Sequence, residues 1–258
     1  MYLTYLDSNS WLWEMGEKRI LVDPWLVGPL VFGNLPWLFK GERRTPRSIP
    51  ENVDLILLSQ GLPDHAHPPT LEQLDRAIPV VGSEGAAKVV RELGYTQVTA
   101  LAHGETFVLR DAVEITAVPG SPIGLTTVEN GYVLRDLRHN RTLYYEPHGY
   151  HSPTLKEMTP IDVAVTPIID LTIPLLGSVI KGQETALELA KWVRPQVMIP
   201  TAAGGDVAFE GLLIKVLQAK GSAAQLQAKL AANDLATQVV EPPPGERFEL
   251  QLNAPTIA

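Results

Sequence analysis

The stretch 54–67, Asp-Leu-Ile-Leu-Leu-Ser-Gln-Gly-Leu-Pro-Asp-His-Ala-His, holds the side chains of this chain whose types and spacing best suit chemistry. The apolar run 55–58 reads as a buried strand, and the residues after it form a loop carrying Asp64, His65 and His67. Carboxylate and imidazole are the donors that zinc and neighbouring divalent cations accept. A bound cation of that kind lowers the pKa of its water toward about 7, which gives hydrolysis a nucleophile at neutral pH. The bland reading is a structural Asp64–His65 pair, with His67 an exposed loop histidine before Pro68-Pro69. His103 and His139 lie beside expected turns and should face solvent. Ser121 has no base partner in the sequence, which argues against a serine nucleophile.

The elements that must position these groups alternate along the chain. Residues 2–6, 10–14 and 18–23 read as strands separated by turns, and 24–40 as an apolar loop with one helical turn. Strands are expected at 55–59, 80–81, 97–101, 106–109, 112–118, 130–136, 141–146, 162–166, 196–200, 237–241 and 247–252. Helices are expected at 70–77, 84–93, 184–193, 207–219 and 223–233. Gly204-Gly205-Asp206 reads either as an anion-binding helix start or as a tight turn. With neither repeats nor a break in composition, one α/β domain spanning 1–258 is the simplest organisation.

Composition narrows the function classes. Of the 258 residues, 45% are hydrophobic and 19% charged, a globular balance. A net charge of -8 gives no basic footprint for a phosphate backbone, so nucleic acid is not an expected partner. The absence of cysteine excludes disulfides and thiolate metal sites. No apolar run is long enough for a transmembrane helix, and the chain opens on an expected strand. A cytoplasmic protein acting on a small molecule is the expectation.

The motif region resembles the metallo-β-lactamase superfamily signature, Ser/Thr-His-x-His-x-Asp-His, aligned on Ser59 to His65. Asp64 and His65 match it, while Gln60 and Leu62 stand where the two leading histidines belong. Other blocks follow in the family's order. Residues 20–26, Ile-Leu-Val-Asp-Pro-Trp-Leu, resemble the early strand and Asp-Pro turn of its lactonase-like and phospholipase D-like branches. Residues 118–121 resemble its Pro-Gly-His block with Ser121 for histidine. Residues 143–146 resemble the strand ending in the metal-bridging aspartate, with Glu146 in that place. Residues 199–202 resemble the strand delivering the last histidine, with Ala202 there.

The resemblance implies a four-layer αββα sandwich. It also implies that a first metal would lose its imidazole shell at Gln60, Leu62 and Ser121, leaving at most one ion (zinc, manganese or iron), or none if the site is vestigial. His65, Glu146 and one of Asp64 or His148 meet the three-ligand count of catalytic zinc. Asp64 would ligate, or act catalytically by orienting or deprotonating water. Trp25, Phe32, Trp37, Gln60 and Ser121 are the candidate substrate-pocket residues, and the apolar loop 25–39 would wall a pocket for an acyl or other apolar group or form a homo-oligomer interface. Two functions follow: a hydrolase-like protein acting on a small ester, lactone or phosphoester, or a metal-free binding or scaffolding module.

Overall fold

The computed structural model describes residues 1–123, 127–174, 177–202 and 204–254. Two seven-stranded sheets dominate. The first runs in the order Arg247–Glu249, Tyr2–Tyr5, Trp11–Met15, Lys18–Val22, Leu55–Leu58, Val80–Gly82 and Val98–Ala100. The second runs Gln238–Val239, Val197–Pro200, Val163–Thr166, Arg141–Tyr145, Thr127–Asp136, Val113–Ile123 and Thr106–Leu109.

The period-2 alternation of each strand explains the layering. Leu55 and Leu57 face the core between the sheets, whereas Ile56 and Leu58 face outward and pack with Ala86 and Val90 of the helix Glu84–Glu92. On the opposite sheet Leu143 and Tyr145 point inward. Tyr144 points outward to the helices Gln183–Val193 and Ala223–Ala232. Both faces of each sheet are therefore buried, which is why the central strands are continuously apolar rather than amphipathic. The result is the expected αββα sandwich.

Two small three-stranded sheets cap one edge of it. One pairs Val207–Glu210, Lys40–Arg43 and Leu30–Val31; the other pairs Gly177–Ile180, Asp170–Ile173 and Gln218–Lys220. They correct two expectations. The segment 24–40 contains the strand Leu30–Val31 and enters another at Lys40. The helix expected over 207–219 is instead a strand, a five-residue helix Leu212–Val216, and a second strand. Long-range pairing decides both cases: Val207 lies opposite Arg43, and Gln218 opposite Thr172, so tertiary hydrogen bonding overrides local propensity. The helix expected over 70–77 is likewise only Pro68–Leu71.

Gly41 shows how closely the cap is packed. A Cβ there would lie 2.9 Å from the Trp25 ring and 3.0 Å from the Phe209 ring. Gly41→Val should therefore cost about 1–3 kcal/mol through overpacking. A lowered urea midpoint at unchanged m-value would register it; an unchanged midpoint would mean the rings move freely.

Candidate functional site

Asp23 ends the strand Lys18–Val22 and is fully buried. Its backbone N–H is spent on the Leu57 carbonyl at 3.0 Å, which fixes the side chain against the next strand. The carboxylate then accepts from four donors. Oδ1 takes the Ser59 N–H at 2.7 Å. Oδ2 takes the Ser59 hydroxyl at 2.6 Å, the Tyr145 hydroxyl at 2.6 Å and His65 Nδ1–H at 2.7 Å. Strands of both sheets thus meet on one carboxylate. Because Nδ1 is committed to Asp23, the other ring nitrogen of His65 is the one that faces the site.

His65 Nε2 lies 3.1 Å from Asp64 Oδ2 and 3.4 Å from the Asn9 side-chain amide. The His148 ring stands 5.0 Å from that of His65, centroid to centroid. Asp64, His65 and His148 each offer one donor atom, and these atoms lie within 4.8 Å of one another. Asp64 Oδ1 is buried with no partner among the described residues. An unsatisfied carboxylate oxygen beside two imidazoles is chemically suited to a cation.

Electrostatics follow from burial and charge. Burial alone would lower the His65 pKa, but Asp64 and Asp23 on its two sides outweigh it and raise it to about 10. Burial drives His148 the other way, down to about 3, helped by cationic His65 and opposed by Asp64. Burial would raise the Asp64 pKa, yet His65 holds it below the usual carboxylate range. At neutral pH the protein alone carries an Asp64 carboxylate against a His65 imidazolium, with His148 neutral.

The expected residues divide sharply. Glu146 is not in the ligand cluster: its Oε2 accepts the backbone N–H groups of His148 at 3.1 Å and Tyr150 at 2.7 Å. It shapes the loop carrying His148, and burial raises its pKa to about 7 even though those amides and cationic His65 pull it down. Gln60 and Ser121 both turn to His148 Nδ1, each at 3.2 Å. Both are buried and neither lines the cavity described below. Two positions where the family resemblance sets ligands of a first metal therefore converge on an imidazole. Leu62 is 40% exposed, and Ala202 has no donor side chain. Among the described residues, Asp64, His65 and His148 form one group that could hold a cation.

Trp25 is fully buried, hydrogen-bonded through Nε1 to the Gly28 carbonyl and covered by the Arg43 guanidinium 4.2 Å from its ring. It is core, not pocket wall. Trp37 is 64% exposed and also misses the cavity. Phe32 does line it. His67, expected in solvent, is buried against Thr70 at 3.0 Å and the Pro29 carbonyl at 3.4 Å. His139 is largely exposed and His103 is exposed, as expected. Gly204 and Gly205 form a turn into a strand rather than a helix start. Sequence reasoning missed Asp23 and Asn9. Asp23 stands in the block 20–26 that resembles the family's Asp-Pro turn, and Asn9 in an Asp-Ser-Asn turn between two strands; neither signal points to a site role.

Above Asp64 and His148 opens a cavity of about 270 Å³. Ser8 and Asn9 complete its polar end beside Ala202, and its walls are leucine, isoleucine, valine and phenylalanine from the two capping sheets, their flanking loops and the helix Leu212–Val216.

Comparison with known proteins agrees with this architecture. The chain resembles an isothiocyanate hydrolase from Delia radicum gut bacteria at a TM-score of 0.71 and 16% identity, covering 96% of this chain and 99% of that one. A metallo hydrolase from Ignicoccus hospitalis matches at a TM-score of 0.67 and 18% identity, over 97% and 99% of the two chains. The diiron β-hydroxylase CmlA from Streptomyces venezuelae matches at 0.68 and 18%, over 97% of this chain and 54% of that one. At these identities the likeness is one of fold. Among curated proteins, cytidine monophosphate-N-acetylneuraminic acid hydroxylase from Cricetulus griseus is 36% identical over 80 residues, 30% of this chain and 14% of that protein. The alignment therefore spans about a seventh of that relative. The family model described as the beta-lactamase superfamily domain matches residues 2–202, and the chain belongs to that family.

Proposed function

We propose that this protein is a mononuclear metal-dependent hydrolase of small esters or lactones. The observation that carries the reading is the convergence of Asp64, His65 and His148 within 4.8 Å, with Asp64 and His148 lining an apolar cavity and Asp64 Oδ1 unsatisfied. Zinc, manganese or iron suits a donor set of two imidazoles and one carboxylate. When bound, the ion acidifies water toward a pKa of about 7 and polarises a carbonyl. His65 and His148 would hold it, His65 steered by Asp23 and His148 by Gln60, Ser121 and the Glu146-shaped loop. Asp64 would have two parts: Oδ2, 3.1 Å from His65 Nε2, would help hold the ion, and Oδ1, without a partner among the described residues, would accept a proton from water. Asn9, beside His65 Nε2, is placed to donate to the developing oxyanion. Among the residues lining the cavity there is no lysine or arginine to meet a phosphate, which favours an ester or lactone over a phosphoester.

Metal content of protein purified without added metal, together with turnover of an ester and lactone panel, tests this. Close to one equivalent of zinc, manganese or iron is expected. His148→Ala and His65→Ala should each bring it below about a tenth, since second-shell changes alone cost about 10–100-fold in affinity and these remove ligands. The second reading, a metal-free binding module, rests on the direct Asp64–His65 contact and on the engagement of His148 Nδ1 by Gln60 and Ser121. Metal that stays below a tenth per chain after reconstitution, with no turnover, would decide for the module.

A further inference from the structure

We propose that the outer side of the two capping sheets is a docking face for an anionic phospholipid surface, with Trp37 as its anchor. The face lies outside the cavity, and the inference does not rest on the hydrolase reading.

Among the described residues, nine large apolar side chains are more than a third exposed, and five of them belong to the cap. Leu35 and Trp37 share one turn, closed by the Leu38 N–H on the Leu35 carbonyl at 2.9 Å. The Trp37 carbonyl accepts the Leu212 N–H at 3.0 Å, which seats the helix Leu212–Val216 against that turn. Four of the five residues of this helix are apolar, and none is buried. Leu213 and Ile214 line the cavity, whereas Leu212, Lys215 and Val216 are exposed and, at i, i+3 and i+4, share one side. Val179, from the strand Gly177–Ile180, is the fifth. At 64% exposure Trp37 is the most open of all nine, while Trp11, Trp13 and Trp25 are fully buried. Single exposed apolar residues are ordinary, but a group gathered on one edge of a fold marks a contact.

Charge selects the occupant. Segments 30–47, 170–181 and 207–220 hold seven Lys or Arg against three Asp or Glu, in a chain whose total charge is -8. Arg43 and Arg47 are spent on buried Asp7, and Lys40 stands between Glu42 and Glu210. Arg44, Lys215 and Lys220 are exposed, outside the ion pairs of the described residues. A cationic, apolar tip on an acidic body suits a negatively charged layer, which attracts the cap and repels the remainder. A second copy would set the same cations against each other. Lys215, between Leu212 and Val216, extends its ammonium to the headgroups while its stem lies along the apolar group. Tryptophan suits that depth, with an apolar ring and a polar N–H. No described helix is long and apolar enough to cross a bilayer, so the attachment is to its surface.

The test sediments the whole chain with vesicles of phosphatidylcholine, alone or with about a third phosphatidylglycerol. Binding to the mixed vesicles should be at least about tenfold tighter at low salt, an advantage largely lost in about 0.5 M salt. Trp37→Ser should weaken binding about tenfold. Lys215→Glu should weaken it roughly 30-fold on the mixed vesicles at low salt, since it changes the charge at the surface by two. Leu212→Ser joined to Val216→Ser gives a second apolar variant, and Val108→Ser, an exposed apolar change outside the cap, should leave binding unaltered. At saturating lipid, brominated chains should quench the emission of the parent protein but not of Trp37→Ser, whose remaining tryptophans are buried or half-buried. Failure to bind the mixed vesicles at low salt, an equal loss in Val108→Ser, or equal quenching in Trp37→Ser overturns the docking face. So does a concentration-dependent doubling of hydrodynamic mass that Trp37→Ser abolishes, because a second copy would then cover these residues. Vesicle binding of the predicted pattern without turnover in the metal-loaded protein would sink the hydrolase reading and leave the docking face standing.

Discussion

Replacing Asp23 by alanine should lower the unfolding free energy by about 3–5 kcal/mol, the cost of breaking a buried charged pair by removing one partner. Against the 5–15 kcal/mol that holds a domain together, this places Asp23→Ala near the edge of folding at 37 °C. The magnitude follows from the number of orphans created. Ser59 N–H, Ser59 Oγ, Tyr145 Oη and His65 Nδ1 all donate to one carboxylate in a site without water access. Each buried donor left unpaired costs about 1–3 kcal/mol. Tyr145→Phe removes one donor together with its need for a partner, so it should cost much less, about 1 kcal/mol. Urea unfolding of the two variants, with the double mutant to expose their coupling, is the measurement. If Asp23→Ala lies within about 1 kcal/mol of the parent protein, the carboxylate is not the junction between the sheets that its geometry indicates. If the variant survives, it should also bind metal about 10–100-fold more weakly, because His65 loses the partner that fixes its ring.

The second large effect is on acid stability, through His151. The residue is half-buried, with Nδ1 3.0 Å from the Tyr144 hydroxyl and a buried Nε2 without a partner among the described residues. Burial lowers its pKa to about 3. The unfolded chain protonates the same group near the ordinary histidine value of about 6.5. Between those two values the unfolded state binds the extra proton. Stability is therefore fully present above about pH 6.5 and is lost as pH falls toward 3, at up to about 1.4 kcal/mol per unit. His151→Leu keeps most of the volume and removes the titration. It leaves the Tyr144 hydroxyl unpaired, a cost of about 1–3 kcal/mol that does not vary with pH. The parent should be the more stable at pH 7, and the difference should shrink or reverse by pH 4.5. Parallel free-energy curves for the two proteins from pH 7 to pH 4.5 would show that His151 does not titrate as its burial requires.

Much of the scaffold was legible in the residues themselves. The continuous apolar runs at 55–58, 143–145, 163–165 and 197–199 announce strands buried on both faces, because only a sheet covered on both sides tolerates them. The motif Pro63-Asp64-His65 at the end of such a strand and His148 after Glu146-Pro147 supply the residues that meet in the candidate site. What failed was everything fixed by long-range pairing. Residues 207–219 carry helical propensity, yet Val207–Glu210 is held as strand by Lys40–Arg43, some 165 residues earlier in the chain, at a register no local pattern encodes. Trp25 and Trp37 look equivalent in an apolar loop, but one is roofed by Arg43 and the other faces water.

The sequence by itself determined the class of fold and the kinds of donor atom available, because side-chain periodicity and residue chemistry are local properties. Only the tertiary structure decided which donors meet. Glu146 and His148 are two residues apart, yet one turns its carboxylate back onto the loop amides while the other carries its ring to His65. Asp23 and Tyr145, 122 positions apart, share a hydrogen bond of 2.6 Å. Direction and distance across a packed interior depend on how two sheets are laid face to face, and that arrangement is a sum over all their contacts rather than a property of any one segment.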